Sequence, residues 1–158
     1  MTGYVDTIRD WLASTPKRSF VLYPILIVAI ELILREGRLL IDPWGVPLLF
    51  WGFLQYRLCG NFRTGRGGGG PGFQKPPDRI VDSGLYGYLR NPMYLGHLIF
   101  YAGLAATFHS LAAVALLLFH IPWFHARVLE DERHLEARFG EDYRAYKRRV
   151  KRWIPYLI

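Results

Sequence analysis

Apolar residues gather in four runs separated by short polar or Gly/Pro breaks: Ser19–Leu34 (SFVLYPILIVAIELIL), Trp44–Cys59, Met93–Phe108 and Leu111–Phe124. The runs are continuous rather than alternating and too long for strands, so each is expected to be a helix. At the helical rise the first covers about 24 Å, a little short of a bilayer's hydrocarbon core but sufficient with its flanks. The pattern therefore predicts an all-α integral membrane protein with four transmembrane helices. Asp42-Pro43 makes a turn and a helix start, so residues 1–59 are expected to form an N-terminal helical hairpin. Only His109 and Ser110 separate the third and fourth runs, which implies a second antiparallel pair. The first seventeen residues mix Trp11 and Leu12 with Arg9 and Asp10 and read as an interfacial segment. No small-residue cleavage pattern follows a short apolar core, so a signal peptide is not expected. Glu31 is costly in hydrocarbon and should face other helices or reach water at the far interface.

Between the two hairpins, residues 60–83 open with a stretch so dense in glycine and proline (GNFRTGRGGGGPGFQKPPD, Gly60–Asp78) that a loop is expected. It lacks a Gly-Lys-Ser/Thr ending and a preceding strand, so it meets neither nucleotide fingerprint. The fourth helix continues past the apolar run into HARVLEDERHLEARFG, with Pro122 expected to kink it. Arg127 and Asp131 are one turn apart and share a face with Glu130, so a cation and carboxylates meet there. After Phe139-Gly140, the residues Tyr143, Tyr146, Val150 and Trp153 give the next helix an apolar stripe opposite Arg144, Arg148, Arg149 and Lys151. Such amphipathic cytosolic C-terminal helices suit an anionic membrane surface. Residues 84–158 then complete a single domain spanning residues 1–158.

Composition agrees with a membrane location. Hydrophobic residues make up 51% of the chain and aromatics 16%, yet the formal net charge is +7. A nucleic-acid binder could be this basic but would not need four such apolar runs, so membrane lipids and not nucleic acid are the expected partners. Positive charge falls before the first run (Arg9, Lys17, Arg18), between the second and third (Arg57 through Arg90), and after the fourth. By the positive-inside rule these regions, with both termini, face the cytoplasm. Cys59 is the sole cysteine, allowing neither an internal disulfide nor a cysteine metal cluster. His97, His109, His120, His125 and His134 form no ligand-like cluster and read as helix or interface residues, so no metal is expected.

The chemistry concentrates in Gly84–Gly96, GLYGYLRNPMYLG. Pro92 suits the first turn of a helix, where its missing N–H would have been unpaired anyway. Arg90 and Asn91 then sit at a helix mouth flanked by Tyr86, Tyr88 and Tyr94. Free N–H groups there can hold a carboxylate or another polar head group. This stretch, together with the Asp131-Glu132 pair ahead of Leu135 and Phe139-Gly140, resembles the integral-membrane methyltransferases that include isoprenylcysteine carboxyl methyltransferases and phospholipid N-methyltransferases. The resemblance covers roughly residues 78–155, about half the chain, with its two motifs in the expected order.

The resemblance implies that Asp78, Arg79, Ile80 and Val81, then Tyr86, then Asn91, Pro92, Met93 and Tyr94, line an S-adenosylmethionine site. It implies a further cofactor contact from Asp131 and a substrate-facing Arg127. Isoprenylcysteine enzymes usually carry His at the position of Asn91 and Glu at that of Asp131. Asn-Pro-Met-Tyr is closer to the phospholipid N-methyltransferase form. Methyl transfer from a sulfonium has a good leaving group, so it needs the nucleophile placed in line and the cofactor held. A carboxylate acceptor could be oriented by Arg127; an amine could lose its proton to Glu130 or Glu132. These three are the catalytic candidates, the acceptor being lipid-like and most like a prenylcysteine carboxylate. The first alternative is a phospholipid N-methyltransferase acting on a phosphatidylethanolamine-type amine; behind it stand a sterol-reductase-like enzyme using NADPH, suggested by the Tyr-x-x-Tyr ending with a later Ile-Pro, and a non-catalytic scaffold.

Overall fold

The computed structural model describes residues 10–70 and 77–154. Part of the expected interfacial segment (residues 1–9), the middle of the Gly/Pro loop (71–76) and residues 155–158 lie outside the described residues. The described chain is helical, with no strand among the described residues. A helical turn at Thr15–Lys17 passes into a π-helical turn, Arg18–Leu22, and then into α1, Tyr23–Leu34. Pro24 explains the widened turn: it cannot donate to Phe20, and the preceding Tyr23 N–H reaches back five residues to Arg18 O. The remaining helices are α2 (Val46–Gly67), α3 (Pro92–Phe108), α4 (Leu111–Phe139) and α5 (Glu141–Arg149).

Two local devices set the turns. Asp42 Oδ1 accepts from Trp44 N at 2.9 Å and starts the Pro43–Gly45 turn that leads into α2. Ser110 Oγ accepts from Ala113 N at 3.1 Å and caps α4 directly after His109, which adopts the left-handed conformation ending α3.

The α2–α3 pair meets backbone to backbone along a seam of glycines. A β-carbon on Gly52 would lie 2.5 Å from Phe100 N, one on Gly96 would lie 2.8 Å from Gly52 O, and one on Gly103 would lie 2.6 Å from Leu49 N. Seven-residue spacing, from Gly45 at the N-cap of α2 to Gly52 and from Gly96 to Gly103 in α3, keeps these positions on one face. On the other side of α3, Phe100, Tyr101 and Leu104 pack with Ile27 of α1 and with Ala113 and Phe124 of α4. Ser19 and Tyr101 share a buried hydroxyl pair. Glu31 faces other helices: it is buried and receives Arg35 Nε at 2.7 Å, while Arg35 Nη2 donates to the carbonyls of Phe108 (3.3 Å) and His109 (3.1 Å) at the end of α3. A cation there suits the negative end of the α3 dipole.

Three expectations change. First, α2 does not stop at Cys59 but carries NFRTGRG through to Gly67, so the loop expected from residue 60 begins at Gly68. Gly60 and Gly65 are tolerated within the helix, whereas Gly68 (φ 70°) is the first glycine that must leave it. Second, only α4 among the described residues is long and apolar enough to cross a membrane by length and composition. The helix α1 has 12 residues, α3 has 17, and the second half of α2 is polar. Third, the last helix is short, ends at Arg149 and turns its aromatic stripe inward. Tyr143, Tyr146 and Val150 are buried against Ile80, Leu135 and Phe139, leaving Trp153 beyond the helix beside His125. Packing against α4 and the Asp78–Val81 segment offers that stripe the burial that a membrane surface was expected to give. Its basic face pairs instead with carboxylates: Arg144 and Lys147 with Glu136, Arg148 with Glu141, and Arg149 with Asp82.

The seam yields a direct test. Gly96→Leu should destabilise the protein by about 1–3 kcal/mol or more, since the helices must separate to admit the side chain. Gly65→Ala, where a β-carbon meets nothing within 4 Å, should instead stabilise it by roughly 0.5–1 kcal/mol through helix propensity. Chemical denaturation of the detergent-solubilised protein compares the two, and equal effects would rule out the seam.

Candidate active site

Gly84–Arg90 opens with a short 3-10 turn (Gly84–Gly87), closed by Leu89 N donating to Leu85 O at 3.0 Å, and then delivers the chain to the mouth of α3. Leu89 forms an isolated parallel bridge with Lys151, and Arg90 N donates to Lys151 O at 2.8 Å, so the chain after α5 lies alongside this mouth. Tyr86 is buried, its hydroxyl donating to Cys59 O at 3.3 Å, and its own carbonyl accepts from the Tyr146 hydroxyl at 2.7 Å. It therefore ties α2 to α5. Burial pushes the Tyr86 phenol far above its usual range, with the Arg63 charge opposing only weakly.

At the centre stands Glu132, 3% exposed. Its Oε1 accepts from Arg90 Nε at 3.0 Å and from Arg152 Nε at 3.1 Å, while Oε2 accepts from Arg152 Nη2 at 2.9 Å. Arg90 also donates through Nη1 to the carbonyls of Lys147 and Val150. Burial would raise the Glu132 carboxyl, but the hydrogen bonds from Arg152 and Arg90 and their charge outweigh it and hold the group below its usual value. One residue earlier on α4, Asp131 is equally buried but differently partnered. Its Oδ2 accepts from the Tyr94 hydroxyl at 2.6 Å. Burial raises the Asp131 carboxyl above the ordinary range, with the Tyr94 hydroxyl and the Arg127 charge opposing.

Two spaces open beside these groups. A narrow crevice is lined by Arg79, Ile80, Val81, Asp131, Glu132 and Tyr143. A cavity of about 820 Å³ is lined by Tyr56, Met93, Tyr94, His97, Trp123 and Arg127 and is roofed by the Asp10–Pro16 segment. Arg63, Tyr86, Arg90 and Asn91 border both. The larger volume is within the range of cofactor and small-molecule sites, about 300–1,000 Å³.

Most of the residues marked by sequence come together here: Arg79, Ile80, Val81, Tyr86, Asn91, Met93, Tyr94, Arg127, Asp131 and Glu132. Three do not. Asp78 is exposed and faces Arg138 at 3.7 Å. Pro92 is buried and offers its carbonyl to Gln55 Nε2 at 2.9 Å, serving the helix start. Glu130 is exposed and its only role in the described contacts is an ion pair with Arg127 at 3.7 Å. Neither proposed proton acceptor is placed for that task. Glu130 points outward, and Glu132, held by two guanidiniums, is a weak base. Asp131 engages Tyr94 by hydrogen bond rather than pairing directly with Arg127. Sequence reasoning placed Arg90 at the helix mouth but missed that it clamps Glu132, and it missed Arg152 altogether; a basic tail gives no signal for which arginine turns inward.

The family model for phospholipid methyltransferase matches residues 48–142, which span α2 through the start of α5. The chain belongs to the phospholipid methyltransferase family. Among curated proteins it is similar to the protein-S-isoprenylcysteine O-methyltransferase of Schizosaccharomyces pombe, 32% identical over 49% of this chain and 34% of that protein. The human protein-S-isoprenylcysteine O-methyltransferase is 32% identical over 49% of this chain and 28% of its own length. Methanethiol S-methyltransferase 1 of Bradyrhizobium diazoefficiens is 37% identical over 54% of this chain and 29% of that protein. The matches thus span about a third of the length of these curated relatives. No solved structure matches. Within this family member, the matched segment contains the crevice residues from Arg79 to Glu132, and Tyr143 follows directly after it.

The clamp predicts an acid-sensitive fold. Because the Glu132 carboxyl is held below its unfolded value, its contribution is fully present above that value, near 4.5, and is lost as pH falls through the folded value. Glu132→Gln should cost about 3 kcal/mol at pH 7, the lower end for a broken buried pair because Arg152 stays partly solvated. The variant should also lose stability less steeply than the parent below pH 4.5. Denaturation at pH 7 and pH 4 measures both effects, and parallel pH profiles would exclude the clamp as a stabilising charge.

Proposed function

We propose that this chain carries out methyl transfer from S-adenosylmethionine to a lipophilic acceptor. The observation that carries the reading is the mouth of α3. Its N-cap Asn91 uses no side-chain cap, so the first backbone N–H groups of the helix are left for a ligand, and they stand beside the buried Asp131–Tyr94 pair. A helix N-terminus and a buried carboxylate suit the carboxylate and ammonium ends of the cofactor's amino acid, while Ile80, Val81 and Leu135 offer an apolar wall to its base. When bound, the cofactor would supply an electrophilic methyl group on a sulfonium.

The chain's own residues then have separable tasks. Asn91, Tyr94 and Asp131 hold the donor at the helix mouth. Glu132, Arg90 and Arg152 keep that mouth against α4 and α5. Arg127, on the cavity side of Tyr94, supports an anionic acceptor such as a prenylcysteine carboxylate; burial opposes its charge, but the Tyr94 hydroxyl and Asp131 favour it. An amine acceptor, as in a phospholipid N-methyltransferase, fits less well because Glu132 is committed to arginines and Glu130 lies outside both spaces. Exposed apolar side chains such as Ile33 (78%), Phe50 (67%) and Phe119 (66%) support the burial of α1, α2 and α4 in lipid. In that arrangement four helices enter the membrane and both termini, with the site, lie on the cytoplasmic side.

Calorimetry on detergent-purified protein tests the reading, with S-adenosylmethionine, S-adenosylhomocysteine and NADPH as ligands. The first two should bind and NADPH should not. Asn91→Ala and Asp131→Ala should each weaken S-adenosylmethionine binding by roughly 1–3 kcal/mol. Arg127→Lys should lower turnover of a prenylcysteine acceptor more than it weakens cofactor binding, because the charge survives and the two-pronged geometry does not. Equal losses would make Arg127 a partner of the cofactor site instead.

A further inference from the structure

The two walls of the narrow crevice are held very differently. On the α4 side Asp131 and Glu132 are buried, and two arginines fix Glu132. The facing wall is the segment Asp78–Asp82, which is neither helix nor strand; Asp78, Arg79 and Asp82 are exposed, and Ile80 and Val81 are half-buried. It leans on the end of α2, where Asp78 N (2.7 Å) and Arg79 N (3.3 Å) both donate to Gly67 O. Among the described residues these are its only backbone hydrogen bonds. Two exposed ion pairs tie it to the other helices: Asp78 Oδ1 to Arg138 Nη2 of α4 at 3.7 Å, and Asp82 Oδ2 to Arg149 Nη2 of α5 at 2.6 Å. Exposed pairs of this kind are weak and are screened by salt. Just beyond Asp82 the chain turns at Gly84, whose φ of 60° lies in the left-handed region. A hollow of about 430 Å³, lined by Asp78, Asp82, Phe139, Asp142 and Arg149, adjoins the segment and leaves it room to move.

In this state the crevice is too small for the ligand it would hold. Its free volume is about 60 Å³, room for about two water molecules. Sites for cofactors and small ligands run to about 300–1,000 Å³. S-adenosylmethionine can present its amino acid to the α3 mouth, which borders the larger cavity, but its base and ribose cannot lie against Ile80, Val81 and Leu135 until the walls part. The α4 wall cannot yield without breaking buried charge pairs, which is costly, so the exposed wall is the one that moves. We infer that Asp78–Asp82 is a strap that swings away from α4 to admit the cofactor and is latched over it by the Asp82–Arg149 and Asp78–Arg138 pairs. This rests on the methyltransferase reading and adds a step to it, since cofactor entry and release then pass through a gate held by two salt-sensitive contacts. A segment with two backbone bonds and exposed ties belongs to the least stable part of a fold, from which moving covers of binding sites are drawn.

The test crosslinks the latch. Asp82→Cys and Arg149→Cys are introduced together into the detergent-solubilised protein, where the native Cys59 is buried, and are joined by a short bis-methanethiosulfonate reagent. Association of radiolabelled S-adenosylmethionine is followed by filter binding before and after the reaction. The unjoined double variant should bind the cofactor, whereas joining the two cysteines in the ligand-free protein should slow association by about tenfold or more, and reductant should restore it. In Asp82→Asn, which loses the pair without a crosslink, bound S-adenosylhomocysteine should leave about two- to fivefold faster than from the parent at low salt, the range for one exposed ion pair. That difference should shrink as salt approaches roughly 1 M. Association at the parent's rate in the crosslinked protein, or unchanged release in Asp82→Asn, would overturn the strap while leaving the cofactor site standing. Failure of the parent to bind S-adenosylmethionine would overturn the methyltransferase reading and this inference with it.

Discussion

A carboxylate taken out of water must find countercharge, and the way Glu132 finds it organises the site. Its two partners come from distant parts of the chain: Arg90 from the approach to α3 and Arg152 from the strand-like tail after α5. Pairing of this kind adds little net stability compared with apolar packing, because desolvation offsets most of the attraction. Its value is positional. Three segments can meet at the α3 mouth only in the arrangement that satisfies all three side chains. Arg90 extends the constraint by bonding the last carbonyls of α5. The aromatic stripe of α5 is drawn inward by the same docking.

Two adjacent carboxylates on α4 are thereby given different work. Both are buried, yet two guanidiniums hold the Glu132 carboxyl below its usual value while Asp131, hydrogen-bonded to the Tyr94 phenol with Arg127 farther off, is raised by burial. One secures the wall, and the other remains available to it as an acceptor in a poorly solvated setting. A similar division separates the two ends of α3. At one end uncapped N–H groups open onto the cavity, and at the other Arg35, itself anchored on buried Glu31, covers the terminal carbonyls. Between them the glycine seam brings α2 within backbone contact, which places Tyr56 and Gln55 against α3 and narrows the cavity wall.

Much of this was legible in the linear chain. Long apolar runs and Pro92 dictate helices and a helix start, because burial periodicity and the missing proline N–H act locally. The spacing of Arg127, Glu130 and Asp131 fixes that they share a region of α4 wherever it packs. Motif order was enough to mark the two walls that the structure brings together. Less legible was the end of α2, since glycine-rich sequence weakens a helix but neighbouring packing, here Gly67 against Val81, can hold it. Charge patterning could not separate a basic face paired with Glu136 and Glu141 from one meant for lipid.

The sequence by itself determined where the helical cores lie and where α3 begins, because each depends on neighbours within a turn. Tertiary structure alone decided what the polar residues do. Glu132 became a clamp and Glu130 an exposed ion-pair partner because their side chains leave α4 in different directions, toward Arg90 and Arg152 or toward water. His97 became enclosed, its Nδ1 without a hydrogen-bond partner among the described residues, because Phe20, Tyr56 and Phe124 from three other elements close around it. Such outcomes depend on distances between residues far apart in the chain, and no local pattern encodes them.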